Sequence, residues 1–428
     1  MEQPQQETVE RYSRQMVLGC FGVESQRCLS RARVLVVGAG GLGCPAAMYL
    51  AGAGVGALCL LDRHGDCVER SNLHRQIAYN DAVVGVDKAE ALAQFVRNLN
   101  PRCDVQRLDS KQHGVGICAA NAEQMVQGFD VVLDCTDNVM SRYVLSDACA
   151  LQKVPLVSGA AIGTDGQLSV YCSSGAKDDD TPCYRCVHPV APPQHCVGSC
   201  DSAGVLGPVP GIIGTLQAIE AIKVICGASF VGAEPLRRKM LLFDAMDCSF
   251  RTMKLRARNS ACIACSSNST STQNRITRVN EYDYDAFLMG DSAGDSAAAA
   301  PAIAPESRGP LPSRIEALEF SRISNESTLL VDVRPNTHFQ MCHLPGAMNV
   351  PLTDLSSAER VRDIQHEMDR RSRGEAQSST LYIICRRGND SQKAARKLSE
   401  TGLFHRVVDI MGGLSAWSDQ VDPTFPKY

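Results

Sequence analysis

The stretch RVLVVGAGGLGCPAAMYLAGAG, Arg33 to Gly54, decides the fold. An apolar run, Val34–Val37, stops at Gly38, and Gly38, Gly40 and Gly43 then satisfy G-x-G-x-x-G ahead of a helix-length apolar segment. Between a strand and a helix such glycines let the backbone approach phosphates, and the helix start offers unpaired N–H groups to an anion. A tight turn without any ligand is the competing explanation. Working outward, Leu58–Leu61 reads as the next strand, with Asp62 at its end where an acid would meet a ribose. Val131–Leu133 and Leu156–Val157 continue the alternation of strands with helix-length segments, which predicts an α/β, doubly wound, mainly parallel sheet. Gln167–Tyr171 and Met240–Phe243 extend it as a mixed sheet to about Arg258.

A chain of 428 residues, 44% apolar and with a net charge of −4, buries a large core and predicts two domains. Its charge balance argues against nucleic acid or a membrane surface as the main partner. The polar start MEQPQQETVERYSRQ lacks the features of a secretory signal, so a cytosolic location is expected. The most apolar stretch, Gly204 to Gly227, contains Pro208, Pro210, Glu220 and Lys223, which predicts a buried helix rather than a bilayer span. Twenty cysteines in such a chain read as thiols, metal ligands and catalysts rather than disulfides.

From Ser266 the composition turns to Ser, Thr, Asn, Gly and Ala, too polar and small to build a core. The expected division is therefore a first domain over 1–265, a flexible linker over 266–310 and a second, smaller α/β domain over 311–428. TLLVDVRP, LYIICRRG and RVVDIMGG are the expected parallel strands of the second domain.

Arg14 in RYSRQ, Arg75 in SNLHRQ and Lys88 in VGVDKAEAL are cations that could converge on phosphates and stabilise a leaving pyrophosphate. Asp137 and Asn138 follow the strand DVVLDC, at the end where open α/β sheets bind ligands, and Asp137 is placed to hold Mg²⁺. Asp134 is expected to cap the helix that begins near Val139.

In this order, RYSRQ, GAGGLG, ERSNLHRQ, DKAEAL and DCTDN resemble the adenylating domain of E1-like (ThiF/MoeB-type) enzymes over roughly Arg11 to Arg258. The resemblance implies ATP and Mg²⁺, with Gly41, Asp62, Ser71, Asn72, Leu73, His74, Arg75, Lys88, Asp137 and Asn138 as nucleotide contacts. It also implies a homodimer in which Arg14 reaches the partner subunit's phosphates. The loop between Asp62 and Ser71 is about two residues longer than the family's pattern, which leaves Asp66 as the second candidate for the ribose.

CYRC and CIAC supply Cys183, Cys186, Cys262 and Cys265, two C-x-x-C pairs suited to a tetrahedral thiolate site for one structural Zn²⁺ ion per subunit. A redox dithiol is the rival explanation, and the E1-like resemblance supports zinc. Between the pairs the loop PPQHCVGSCDSAGVLGP carries Cys196 and Cys200. By resemblance Cys200 corresponds to the loop cysteine that attacks the activated carboxyl group in two-domain relatives, whereas Cys196 has no counterpart.

In the second domain the strand LYII runs into Cys385 and the loop RRGND, with a helix expected to begin near Ser391. Loop N–H groups, the helix start and Arg386 and Arg387 would favour a sulfur anion there. A phosphatase loop needs Arg six positions after its Cys, where this chain has Ser391, so phosphatase activity is not expected. With LLVDVRP, HLPGAMNVPL and GGLSAW, the segment from Leu311 resembles a rhodanese domain, which implies that Cys385 carries a persulfide. His338 and Cys342 replace the family's Glu and Gly, which predicts an Arg334 without its carboxylate partner. Asp390 at the loop end points to a protein persulfide, from a cysteine desulfurase or similar donor, rather than thiosulfate.

The fusion resembles the eukaryotic family of combined adenylyltransferases and sulfurtransferases. That resemblance implies adenylation of the terminal Gly of ubiquitin-like carriers ending in Gly-Gly, namely the molybdopterin synthase small subunit and the ubiquitin-related modifier. Sulfur from Cys385 then yields a thiocarboxylate for molybdopterin synthesis and tRNA thiolation, with no direct nucleic-acid contact. Three other readings stay open: a rhodanese domain that only docks a partner, an NAD-dependent oxidoreductase and a non-catalytic scaffold.

Overall fold

The computed structural model describes residues 6–108, 116–173, 181–192, 204–266, 275–289, 313–325, 327–372 and 380–427. It divides into two compact units, 1–295 and 296–428.

Among the described residues the first unit has eight strands: β1 Arg33–Val37, β2 Ala57–Leu61, β3 Asp104–Arg107, β4 Val131–Asp134, β5 Leu156–Ile162, β6 Asp165–Tyr171, β7 Lys239–Asp244 and β8 Ser249–Lys254. Their order is β3-β2-β1-β4-β5-β6-β7-β8, parallel through β5 and antiparallel beyond it, as the mixed reading predicted. The central strands bury both faces, with Val34, Val36, Leu58 and Leu60 in one core and Leu35, Val37, Cys59 and Leu61 in the other. That is why their sequences are unbroken apolar runs rather than alternating ones. Strand β1 lies between β2 and β4, so chain connections leave it in opposite directions and open a crevice at its carboxyl end.

Strands β3 and β8 were not foreseen. DVQR and SFRTMK are edge strands with little buried surface, and neither carries an apolar run. The segment Pro208–Ser229 is long and apolar enough to cross a membrane by length and composition. In this fold its helix, Pro208–Cys226, packs on the helix Gly43–Ala53 and on β5, burying Val209, Ile213, Ala218 and Ala221.

The expected linker also needs correction. Residues 275–289 lie within it, yet Val279 and Tyr284 are buried in the core beneath the helix Val139–Gln152. Their anchor is the Arg185 guanidinium, whose Nη2 lies 2.7 Å from Asp147 Oδ2 with both side chains almost fully buried. The ring centroids of Phe287, Tyr282 and Tyr143 lie 4.4, 4.9 and 5.1 Å from it, and Tyr284 Oη donates to Asp147 Oδ2 at 2.9 Å. Composition hides this because three aromatics spread over a charged stretch show no periodicity, and the guanidinium they enclose, Arg185, lies far away in the sequence.

The second unit is an all-parallel sheet of β9 Ser313–Glu316, β10 Leu329–Asp332, β11 Met348–Asn349, β12 Thr380–Ile384 and β13 Arg406–Met411, in the order β11-β10-β12-β13-β9. Leu381 and Ile383 face one core while Ile384, Val408 and Ile410 face the other. Strands β10, β12 and β13 match the three expected runs. The short edge strands β9 and β11 were invisible for the same reason as β3.

Removing one partner of a buried ion pair strands the other charge, so Asp147→Ala should cost the first unit about 3–5 kcal/mol in urea unfolding. Tyr284→Phe, which deletes a single hydrogen bond to that carboxylate, should cost about 1 kcal/mol.

Candidate functional site

At the end of β1 the chain turns under steric compulsion. Gly38 has φ +100°, and a Cβ there would meet Cys135 O at 2.5 Å, while a Cβ on Gly43 would sit 1.8 Å from Gly38 O. Both glycines are therefore required by the protein's own packing. Gly40 differs: a Cβ there would touch only Gln76 Nε2, at 3.8 Å. The helix Gly43–Ala53 starts with no side-chain cap on its first N–H groups. Room beside Gly40 and uncapped donors are what a phosphate group requires, so these residues fit ATP.

The buried Tyr79 hydroxyl bridges the carbonyls of Ala39 (2.8 Å) and Lys88 (2.9 Å), tying this turn to the start of the helix Lys88–Leu99. Asp62 accepts the N–H groups of Ala39 (2.8 Å) and Arg63 (2.7 Å). Burial nevertheless pushes its carboxyl up to about 6. Lys88 is nearly buried and pairs through Nζ with Asp66 Oδ1 at 2.8 Å, so Asp66 already holds the expected phosphate cation. Arg75 folds onto its own loop, donating to Asn72 Oδ1 (2.6 Å) and Ser71 O (3.2 Å) and lying 2.8 Å from His74 Nε2. Burial and that guanidinium push the His74 imidazole down. Ser71 Oγ is 3.1 Å from Glu69 Oε2, and Leu73 packs its side chain against the core.

Past β4, Asp134 is buried and structural, but it does not cap the following helix. Its Oδ1 accepts from Thr136 Oγ1 (2.6 Å) and its Oδ2 from Ser158 Oγ (2.7 Å). The cap is Asn138, whose Oδ1 accepts the Ser141 N–H at 2.8 Å. A helix cap must directly precede the first turn, and Asp134 stands too far back. Asp137 is exposed at the mouth of a cleft of about 440 Å³ lined also by Asn138, Arg142, Tyr184 and Arg251. A single carboxylate at that position suits Mg²⁺ shared with phosphates. Arg142, which donates to the carbonyls of Thr136 and Gly159 at 3.0 Å each, was missed in the sequence. Its signal was its place four residues after the cap, on the first turn of the helix. Arg14 is exposed on the helix Gln6–Met16, which Tyr12 and Gln15 anchor through Asn100 and Ala53.

Cys183, Cys186, Cys262 and Cys265 meet with all sulfurs within 4.8 Å of one another. Their sulfur–sulfur separations are 3.7 Å (183–186), 3.6 Å (183–262) and 3.3 Å (186–265). Four thiolates at ~2.3 Å around a tetrahedral ion stand about 3.8 Å apart, and a disulfide needs ~2.05 Å, so the donor set fits a metal and not a dithiol bond. The Asn259 N–H donates to Cys186 Sγ at 3.4 Å. Hydrogen bonds from Cys183 and Cys265 push the Cys262 thiol down. Cys196 and Cys200 lie outside the described residues.

In the second unit Cys385 is buried at the end of β12. Its sulfur receives the Gly388 N–H at 3.1 Å and lies 3.2 Å from Ser391 Oγ. The next helix, Asp390–Glu400, starts one residue earlier than expected and has no side-chain cap. Gly413 closes the floor, since a Cβ there would meet Cys385 O at 2.2 Å. Arg334 does have a carboxylate: Asp332, two residues before it, accepts its Nε at 2.9 Å, and Cys342 O accepts its Nη2 at 2.7 Å. The expectation of an orphaned Arg334 overlooked a partner at the end of the strand just before it.

The ThiF family model matches residues 12–264 and the rhodanese-like domain model residues 316–420. The chain is 43% identical over 420 residues to "Adenylyltransferase and sulfurtransferase MOCS3-2" of Zea mays, covering 98% of this chain and 80% of that one. It is 41% identical to the Drosophila ananassae MOCS3 protein and 40% identical to that of Arabidopsis thaliana, covering 98% of this chain and 85% of each relative. Among solved structures, Escherichia coli MccB crystallised with succinimide matches with a TM-score of 0.50 at 20% identity, over 60% of this chain and 73% of that one, a likeness of fold alone.

The cysteine cluster makes a direct test. Metal-free protein titrated with cobalt(II) should develop the intense visible absorption of a tetrahedral thiolate centre, and Cys265→Ser should weaken it.

Proposed function

Because the chain belongs to the ThiF family, carries a rhodanese-like second domain and is an adenylyltransferase and sulfurtransferase, we propose that it converts the terminal glycine of ubiquitin-like sulfur carriers into a thiocarboxylate. ATP lies with its phosphates at the Gly38–Gly43 turn and its ribose on Asp62. Arg75, Lys88 and, from a second copy of the chain, Arg14 hold the phosphates. Bound at Asp137, Mg²⁺ would offset phosphate charge. Asn138 and the cleft beside it receive the extended Gly-Gly tail, a narrow peptide without side chains that suits a cleft of about 440 Å³. The carboxylate attacks the α-phosphorus and pyrophosphate leaves, which activates a carboxyl group that has no leaving group of its own.

Cys385, loaded by a cysteine desulfurase or another protein persulfide, supplies the terminal sulfur anion. It attacks the acyl carbon, AMP departs, and an acyl disulfide remains. A thiolate at Cys200 then attacks the Cys385 sulfur, forming a Cys200–Cys385 disulfide and releasing the thiocarboxylate; a thioester at Cys200 before sulfur arrives is the alternative order. Zinc is the ion for the four-cysteine site, where it ties Cys183 and Cys186 to Cys262 and Cys265. The work suits a homodimer in the reducing cytosol, where 20 cysteines stay available as thiols and ligands. The carriers are those of molybdopterin synthesis and tRNA wobble-uridine 2-thiolation. What carries this reading is one chain holding both an uncapped glycine turn beside Asp62 and a buried Cys385 that receives the Gly388 N–H.

Two outcomes are expected. ATP–pyrophosphate exchange should appear only when a Gly-Gly-tailed carrier is present, and Cys385→Ala should retain that exchange while abolishing thiocarboxylate; NAD binding without exchange would instead mean an oxidoreductase. A ribose hydroxyl needs ionised Asp62, which burial holds at about 6, so nucleotide affinity should fall about tenfold from pH 7 to pH 5 in calorimetry. Because burial raises Asp62, falling pH protonates it and removes the acceptor. Asp62→Asn should bind weakly at both pH values.

A further inference from the structure

Arg142 has an anchor but no counter-charge. Its Nη2 donates to the carbonyls of Thr136 and Gly159 at 3.0 Å each, so one nitrogen bridges the loop after β4 and the neighbouring strand β5. The side chain comes from the first turn of the helix Val139–Gln152, which Asn138 caps. It is half-buried, lines the cleft of about 440 Å³, and pairs with no carboxylate among the described residues. Asp134, at the end of β4, is already satisfied by Thr136 and Ser158. A guanidinium held in a cleft with its charge uncompensated is placed for an anionic ligand.

The other charges in the cleft say where that ligand lies. Arg142 grips the Thr136 carbonyl, directly ahead of Asp137, and β4 is the immediate neighbour of β1, whose Gly38 turn faces the phosphates. The second arginine of the cleft, Arg251, belongs to β8, four strand spacings or about 19 Å from β4. Between them Asp165 and Asp244 stand opposite each other on β6 and β7 and also line the cleft, so a carboxylate is repelled there. Of the two cations, only Arg142 stands at the phosphate end.

Resting on the reading of this cleft as the seat of the carrier's tail, we propose that Arg142 receives the terminal carboxylate of that tail and holds it toward the α-phosphate before adenylation. A carboxylate approaching ATP meets phosphates of its own sign, and Asp137 beside them. The guanidinium offsets that repulsion, and its grip on two carbonyls keeps it from swinging onto the phosphates itself. Arg142 thereby selects a free carboxyl terminus, because a tail blocked as an amide brings no charge for it to hold. Once the carboxylate is joined to AMP its charge is gone and so is the hold, which leaves the acyl carbon open to the incoming sulfur.

Binding to the full-length protein is measured by calorimetry without nucleotide, so that no chemistry intervenes. The probes are the two carriers named above, each prepared with its terminal carboxylate and with a terminal carboxamide. Wild type should bind the carboxylate form about tenfold tighter, the low end of what a hydrogen bond to a charged group contributes. In Arg142→Gln that preference should fall to within about twofold, and in pyrophosphate exchange the carrier KM should rise about tenfold while the KM for ATP stays unchanged. A wild type without the preference overturns the proposal. So does a variant that weakens both forms equally, because Arg142 would then only brace Thr136 and Gly159. Should Arg142→Gln not fold, Arg142→Lys decides: a compact ammonium cannot span both carbonyls and face the cleft, so the preference should shrink to about threefold or less, and an undiminished one overturns the proposal. Wild type that binds neither carrier in either form overturns the carrier reading itself and this proposal with it, a result distinct from binding without charge preference.

Discussion

The backbone contact between Gly38 and Gly43 governs the first unit. With 1.8 Å between the Gly38 oxygen and any Cβ on Gly43, no other residue lets the chain leave β1 and enter the helix Gly43–Ala53 at once. That sharp turn brings uncapped N–H groups to the sheet's carboxyl end, where Asp62 grips Ala39 and Tyr79 ties Ala39 to Lys88. The acidic group, the helix start and the cation are thereby fixed before any ligand arrives, which is the preorganisation that phosphate chemistry rewards.

A second anchor works at the far end of the same unit. Helix Val139–Gln152 begins at Asn138 beside the cleft and carries Asp147 along its length to Arg185. Arg185 sits between Cys183 and Cys186, so the aromatic enclosure from residues 275–289 and the four-cysteine site brace the same helix turn. Metal loss would therefore be felt along that helix as well as at the cysteines.

Legibility in the sequence followed burial and locality. The β1 turn could be read because its chemistry is contiguous, and the four cysteines because their pairs keep ligand spacing. Strands β3 and β8 escaped because edge strands need little apolar surface. The capping of helix Val139–Gln152 by Asn138 and the Asp332 partner of Arg334 were misassigned: several nearby acids and amides were chemically eligible, and only geometry chooses among them. Ser391 was noticed merely as the absence of an arginine, and its contact with the Cys385 sulfur not at all, since that contact depends on how the loop after β12 folds back. Cys200 remains an assignment from resemblance, outside the described residues.

In the proposed function, sulfur on Cys385 ends on a carrier's carboxyl group activated by adenylation. The most direct measurement loads Cys385 with isotopically labelled persulfide sulfur, adds ATP, magnesium and a Gly-Gly-tailed carrier, and weighs the carrier's terminus. The expected product has a terminal oxygen replaced by the labelled sulfur, only when ATP is present. A carrier that leaves with unlabelled sulfur, or with its carboxylate unchanged while ATP is consumed, contradicts it.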